Sequence, residues 1–303
     1  MRKIKTLFRS LIPSVMAVYS LDSHKFSTLI VGNSRAVADI ARTLTEAEFP
    51  FSILVEPMLD DLFGFSDPGG ASSILVPSYL QAYVHQFVGD VSEVQRPPDI
   101  IIEPSSLPAR EKSEMLIEVS DEYPDAVILS SSIGCTATEL FAQLGLQNNI
   151  VGFNAIALAQ HISMMEIAPA MTASEQSIAI AKRFWTSLGF TTESVEDRVG
   201  LCSPRILATL INEAAFAVLE KVATAEDIDT AMKLGVNYPK GLLEWADEIG
   251  IEVIVALLDA LHREYGQERY RPCVLLKQMM RAGRIGKFSG RGFFEYPPQE
   301  RIA

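Results

Sequence analysis

An α/β layer followed by an all-helical unit is the architecture this sequence predicts, and three observations predict it. From Ser27 onward, short apolar runs bounded by turn residues alternate with helical patterns, the arrangement that yields parallel strands joined by crossover helices. Past Gly200 the strand-like runs stop and apolar residues recur at helical spacing. At 303 residues, 48% hydrophobic and 21% charged, the chain is long enough to bury two cores. The expected division is an extension over 1–26, a doubly wound parallel-sheet unit over 27–199 and an all-helical unit over 200–303.

Residues 1–26 begin MRKIKTLFR and continue LIPSVMAVYSL. A basic start before an apolar stretch has the form of a signal peptide or a membrane-surface helix. Pro13 interrupts the stretch and no small-x-small cleavage site follows, so the expectation is a disordered or docked extension. STLIVG then reads as a short buried strand, Ala36 to Leu44 as a helix with Ala38, Ile40 and Ala41 inside, and FSILVE as a second strand ending in an acid. This is a βαβ opening of the dinucleotide-binding kind, in which backbone amides at a helix N-terminus hold pyrophosphate. Its loop, GNSRAV, has Gly32, then Ser34 and Val37, where a G-x-G-x-x-G fingerprint wants three glycines. Glu56 lies 24 residues after Gly32, near where an acid would hold a ribose hydroxyl. Gly32, Ser34 and Glu56 are therefore the candidate contacts to a dinucleotide; the alternative is a sheet unit of this kind that no longer binds one.

Between Glu56 and Pro97 the pattern blurs, and no lysine or arginine occurs between Arg42 and Arg96. DIIIEP reads as a buried strand, Arg110 to Tyr123 as a helix, DAVILSSS as a strand, Thr136 to Leu144 as a helix and Asn149 to Phe153 as a strand. Ser174 to Leu188 and TTESVED supply a last helix and strand. In the helical unit, Ser203 reads as an N-cap with Pro204 at the first helical position, where the missing N–H costs nothing. Leu207, Leu210, Ile211, Ala214, Ala215 and Leu219 then form one apolar face. Thr224 caps a second helix, with Glu226, Asp227 and Asp229 in its first turn, that stops at Gly235. Trp185 and Trp245 are expected to anchor the core.

Charge is uneven. The chain carries 26 Lys/Arg against 38 Asp/Glu, a formal net charge of −12. Residues 27–199 hold 8 bases against 23 acids, whereas residues 200–303 hold 13 against 14. Such a field repels polyanions, which excludes nucleic acid as the expected partner and makes the sheet unit a poor host for an anionic cofactor unless helix N-termini compensate. Cys135, Cys202 and Cys273 are widely separated, suggesting neither a disulfide framework nor a zinc site, and a reducing, cytoplasmic location follows as the expectation. The sequence has no apolar run of 18 residues, so no membrane span is expected.

Two long motifs carry a resemblance. EDIDTAMKLGVNYPKGLLEW (226–245) and IGKFSGRGFFEY (285–296) are close to the EDID-AM-LG-GYP-GP-E and closing G-K-x-G-x-GFY patterns of the 3-hydroxyacyl-CoA dehydrogenase family. The chain resembles that family over nearly all of 27–297. The resemblance implies an N-terminal NAD-binding Rossmann domain joined to an all-helical domain that pairs two subunits, hence a homodimer and an acyl-CoA-like ligand. It also aligns Lys112 with a lysine near the cofactor, although a solvated helix lysine is the equal alternative.

The family's catalytic positions are another matter. Its motif GxHFFNPVxxMxLVEV carries a His and a Glu twelve residues apart, and VGFNAIALAQHISMMEIAP aligns with it without gaps. Gly152 and Glu166 match, but the histidine position is Asn154. The family's catalytic serine falls on Ile133 and its catalytic asparagine on Pro204, followed by a matching Arg205. Moving hydride from C3 of a hydroxyacyl thioester to NAD needs a base for the hydroxyl proton, which imidazole supplies and a carboxamide does not. The expectation is a family protein whose oxidation of 3-hydroxyacyl-CoA is weak or lost, acting as a dimeric binding or partner subunit. The alternative is an active NAD-dependent oxidoreductase on a 3-hydroxyacyl-CoA or related hydroxy acid with a rearranged relay, in which His161 pairs with Glu166 or ordered water carries the proton. Asn154, Glu166 and His161 are the candidate reactive-site residues on either reading.

Overall fold

The computed structural model of the chain describes residues 25–32, 34–55, 78–145 and 149–297. The N-terminal targeting question therefore lies outside the described residues, and no helix among them is long and apolar enough to cross a membrane.

Eight strands form one sheet: β1 (Thr28–Val31), β2 (Phe51–Leu54), β3 (Phe87–Val88), β4 (Ile100–Glu103), β5 (Val127–Ser131), β6 (Asn149–Phe153), β7 (Met164–Pro169) and β8 (Thr191–Ser194). Their spatial order is β3-β2-β1-β4-β5-β6-β7-β8, and the first six are parallel neighbours in the 3-2-1-4-5-6 order of dinucleotide-binding sheets. The expected parallel, doubly wound sheet is present, with one antiparallel neighbour at β7. This strand runs antiparallel to β6, pairing Phe153 with Ile167, and only then does β8 pair parallel with β7. The short link from β6 to β7 holds only the one-turn helix α4 (Ile156–Ala159), too little chain for the crossover a parallel neighbour requires.

Alternation along the strands separates two cores. Ile30, Ile53, Ile100, Leu129 and Val151 face α1 (Arg35–Glu46) and α5 (Glu175–Ser187), packing on Val37, Leu44, Phe184 and Trp185. Leu29, Val31, Ile101, Ile128 and Ile150 face α2 (Ala109–Glu122) and α3 (Ala137–Leu144), packing on Leu116, Val119 and Leu140. Each such side chain contributes roughly 1.5–3 kcal/mol by leaving water. Helix starts follow local chemistry: Thr136 accepts from the Glu139 amide and Ser174 from the Ser177 amide.

The remainder is helical: α6 (Ser203–Leu219), α7 (Ala225–Gly235), α8 (Leu242–Ile249), α9 (Ile251–Tyr265) and α10 (Val274–Arg281). Ile211, Ala215, Leu243, Ala246, Ile254 and Leu258 form its core, which Ile133 and Ile156 of the sheet unit join. Trp245 packs beside Tyr238 with ring centroids 5.9 Å apart.

The motifs of this unit are structural devices. Buried Asp229 accepts from the amides of Leu243 and Glu244, both at 2.9 Å, and so caps α8 from another helix. Fully buried Asp247 accepts from the amides of Phe293 and Phe294 and from the Tyr296 hydroxyl, pinning the closing loop. Gly292 makes this possible, because a Cβ there would lie 1.9 Å from Asp247 Oδ1.

Candidate functional site

At the end of β1 the backbone turns through Gly32 with φ of 122°, a left-handed value that favours glycine, and enters α1 through Ser34. Ser34 makes no side-chain cap, and its buried hydroxyl finds no partner among the described residues. Val37, at the third fingerprint position, is fully buried in the sheet core, so the branched side chain is accommodated rather than excluded. Glu56 lies outside the described residues. Arg35, the one cation at this helix start, does not face the loop's amides. It donates instead to the carbonyls of Glu248 and Ile249, the latter at 2.8 Å, and lies over the Phe288 ring. It thus ties α1 to the end of α8.

Lys112 is neither a solvated helix lysine nor a free cation beside a cleft. It is 0% exposed and pairs with equally buried Glu103 at 2.7 Å. Its ammonium also donates to Ser130 Oγ and to the Ser131 carbonyl, while Glu103 accepts from the Ser130 hydroxyl and the Ser105 amide. A lone ammonium would lose several kcal/mol of hydration at such a site, so the pair and its hydrogen bonds belong together. What the network does is join the ends of β4 and β5 to the first turn of α2. The alternative of a solvated helix lysine is corrected: Lys112 is buried and its ammonium is held by Glu103, Ser130 and Ser131.

Beyond the ends of β5, β6 and β7 the reactive-site candidates meet. Glu166 in β7 is 3% exposed, and its two oxygens accept from the amides of Cys202 at 3.0 Å and Ser203 at 2.9 Å. The carboxylate thereby satisfies the orphan donors that open α6 and sits at the positive end of its dipole. This corrects the expected cap, since Ser203 lies inside the helix rather than ahead of it. Asn154, 2% exposed, does for α4 what Glu166 does for α6, its Oδ1 accepting from the amides of Ile156 and Ala157. Its Nδ2 donates to Ser203 Oγ at 3.3 Å. Ser203, read from sequence only as a cap, is the site residue that sequence reasoning missed. Nothing local marks it, because its partner stands 49 positions away.

The other two inherited positions are apolar. Ile133, 1% exposed, and Pro204 offer no side-chain hydrogen bond, and Ile133 packs into the helical core. Arg205 keeps a structural place, donating to the Val199 carbonyl and the Tyr265 hydroxyl and stacking over Tyr265. His161 does not join Asn154 and Glu166. It is exposed in a turn at φ of 51° and lines a surface groove with Arg42, Leu158 and Phe190. The charged group it influences is Asp39, whose carboxyl burial pushes up while Arg42, Arg35 and His161 pull it down. His161 makes no hydrogen bond to Glu166: the histidine lies in an exposed turn, whereas the carboxylate is buried and held by two amides.

A family model described as "3-hydroxyacyl-CoA dehydrogenase, C-terminal domain" matches residues 200–296. A probable 3-hydroxybutyryl-CoA dehydrogenase of Bacillus subtilis is 34% identical over 199 residues, covering 65% of this chain and 69% of that protein. A 3-hydroxybutyryl-CoA dehydrogenase of Bradyrhizobium diazoefficiens is 30% identical over 203 residues, covering 65% and 68%. Among solved structures, FadB2 of M. tuberculosis superposes with a TM-score of 0.72 at 22% identity, over 91% of this chain and all of that one. An (S)-3-hydroxybutyryl-CoA dehydrogenase from Ralstonia eutropha does so with 0.68 at 23%, over 90% of this chain and all of that one. The sheet order, the helical unit and these likenesses agree: the chain belongs to the 3-hydroxyacyl-CoA dehydrogenase family.

Proposed function

We propose that this protein binds NAD and an acyl-CoA-like ligand as a homodimer, while its oxidation of 3-hydroxyacyl-CoA is weak or lost. The observation that carries this reading is the commitment of Glu166 and Asn154 to helix amides. A carboxylate held by two amides, beside a carboxamide, has no imidazole to orient. Among the described residues no histidine is hydrogen-bonded to either group. Loss of a general base lowers rates by about 10²- to 10⁴-fold, and Ile133 and Pro204 supply no donor to a developing oxyanion.

For NAD, the residues present fit a phosphate group in part. The first amides of α1 and the unpartnered Ser34 hydroxyl are suitable donors, with Gly32 allowing close approach. Arg35 and Lys112 are committed elsewhere, so the helix end supplies the attraction without a side-chain cation. When bound, NAD supplies the hydride acceptor. The homodimer reading draws support from apolar side chains left in water on the helical unit: Ile206, Val222, Leu234, Val236 and Val274, at 55–82% exposure. Three free cysteines suit a reducing, cytoplasmic setting.

A second reading, an active NAD-dependent oxidoreductase on a 3-hydroxyacyl-CoA or related hydroxy acid with a rearranged proton relay, is favoured by the names of the relatives above. One experiment separates the two. NADH oxidation with acetoacetyl-CoA is followed for this protein and the Bacillus subtilis relative side by side, with calorimetric titration of NADH and acetoacetyl-CoA. The first reading expects measurable binding with turnover at least about 10²-fold below the relative; comparable turnover refutes it.

A further inference from the structure

Arg35 is a cation in the first turn of α1, where its own helix works against it. Helix N-termini carry partial positive charge and favour anions, yet this first turn holds no acid. The guanidinium reaches instead to the opposite kind of helix end. Its Nη2 donates to the carbonyls of Glu248 and Ile249, which close α8, and its Cζ lies 5.9 Å from the centre of the Phe288 ring. Phe288 in turn meets Tyr79 edge-on, with ring centroids 5.1 Å apart. The two hydrogen bonds span 213 and 214 positions of sequence, so one side chain fastens the helical unit to the start of α1. The attachment is incomplete. A guanidinium has five N–H donors, and those on Nε and Nη1 of Arg35 meet no acceptor among the described residues. Two buried acceptors beside it, Ser34 Oγ and Glu252 Oε2, also lack partners there, although the Glu252 carboxyl is near enough for the Arg35 charge to pull its proton affinity down. A cation with spare donors, three residues past Gly32, is placed to exchange one acceptor for another.

We infer that Arg35 is a positioning residue with two mutually exclusive attachments, the end of α8 and a cofactor diphosphate on the first turn of α1, so that dinucleotide binding loosens the hold between the two units; this rests on the NAD reading above. An arriving phosphate meets the helix amides first, and Arg35 reaches it only by leaving α8. The exchange is favourable because a diphosphate offers full negative charge and bidentate geometry, which a pair of carbonyls lacks. The Phe288 ring stabilises only the α8-bound position, by attraction between the cation and its face. Phe288 therefore opposes cofactor binding by holding Arg35 at α8.

The test is calorimetric titration of NADH at pH 7 into the wild type, Phe288→Leu, Arg35→Met and the double variant, with amide hydrogen exchange followed over residues 246–254. Phe288→Leu is expected to tighten NADH binding by about two- to fivefold, the equivalent of one cation–π contact of about 0.5–1 kcal/mol. In the Arg35→Met background the same substitution should change the affinity by less than about 1.5-fold, since no guanidinium is left to hold. NADH should speed exchange over 246–254 in the wild type and not in Arg35→Met, where the end of α8 is already released. A thermal melt of each variant shows that the fold survives, and Arg35→Met carries the exchange comparison by itself if Phe288→Leu does not fold. Weaker or unchanged NADH binding by a folded Phe288→Leu, or NADH binding that leaves exchange over 246–254 unaltered in the wild type, overturns the two-attachment role while leaving NAD binding intact. Failure of the wild type to bind NADH sinks the NAD reading and the inference with it.

Discussion

Replacing Glu166 by glutamine separates a structural carboxylate from a catalytic one. In the native protein both oxygens accept from backbone amides at the start of α6, Cys202 at 3.0 Å and Ser203 at 2.9 Å. Glutamine can keep one of these bonds through its carbonyl oxygen, but its amide group turns N–H against the other backbone N–H. The loss comprises one charge-assisted hydrogen bond, about 1.5–3 kcal/mol, and the attraction of an anion to a helix N-terminus, about 0.3–1 kcal/mol at ordinary sites. Together these amount to roughly 2–4 kcal/mol, a large share of the stability of a folded domain. Urea unfolding followed by circular dichroism measures it through the midpoint at constant slope. The cap reading expects a drop in that range with little change in whatever residual turnover exists. A variant within about 0.5 kcal/mol of wild type that loses its turnover would refute the reasoning, because such a carboxylate would be serving chemistry at little benefit to the fold.

Two further outcomes follow from the same geometry. Cys135 is buried and its thiol is pushed up to about 11 by that burial, Cys273 is buried as well, and Cys202 is exposed; one thiol per native chain should therefore react with a disulfide reagent at pH 8, at Cys202, and all three after unfolding. Burial raises the Glu252 carboxyl above its ordinary 4.5, the nearby Arg35 opposing, and Glu252 Oε2 has no partner among the described residues. The folded state then holds this proton more tightly than the unfolded one, so the group's contribution to stability falls as pH rises from the ordinary value through the raised one. Glu252→Gln should flatten the loss of stability over that interval, and a slope identical to wild type in urea midpoints from pH 4.5 to 7 would argue against it.

Much of the fold could be read from residues that act on their neighbours. Asn149 to Phe153 is a strand with the expected bounds, and Thr224 caps a helix that ends at Gly235 as expected, because a hydroxyl three residues from its amide needs no tertiary context. β7 was not legible: a carboxylate in the middle of MMEIAP reads as solvent-facing until its distant partners are known. The same distance explains the misplaced cap at α6, where the acceptor comes from 37 residues upstream. The burial of Lys112 was not legible because nothing in its own helix shows that Glu103 is buried beside it. For the site, sequence located Asn154 and Glu166 but not what they hold, and it brought in His161, which the chain directs to a surface turn.

The clasp at Asp247 has a consequence in time. Its three donors, Phe293 N, Phe294 N and the Tyr296 hydroxyl, emerge from the ribosome 46 to 49 residues after the carboxylate they serve. Until they arrive, α8 carries an acid in its buried face that burial itself pushes toward the protonated form. Core assembly around α8 and α9 therefore gains its full driving force only when Tyr296 is available. A chain lacking residues 293–296 would have to bury the Asp247 carboxylate without these three hydrogen bonds.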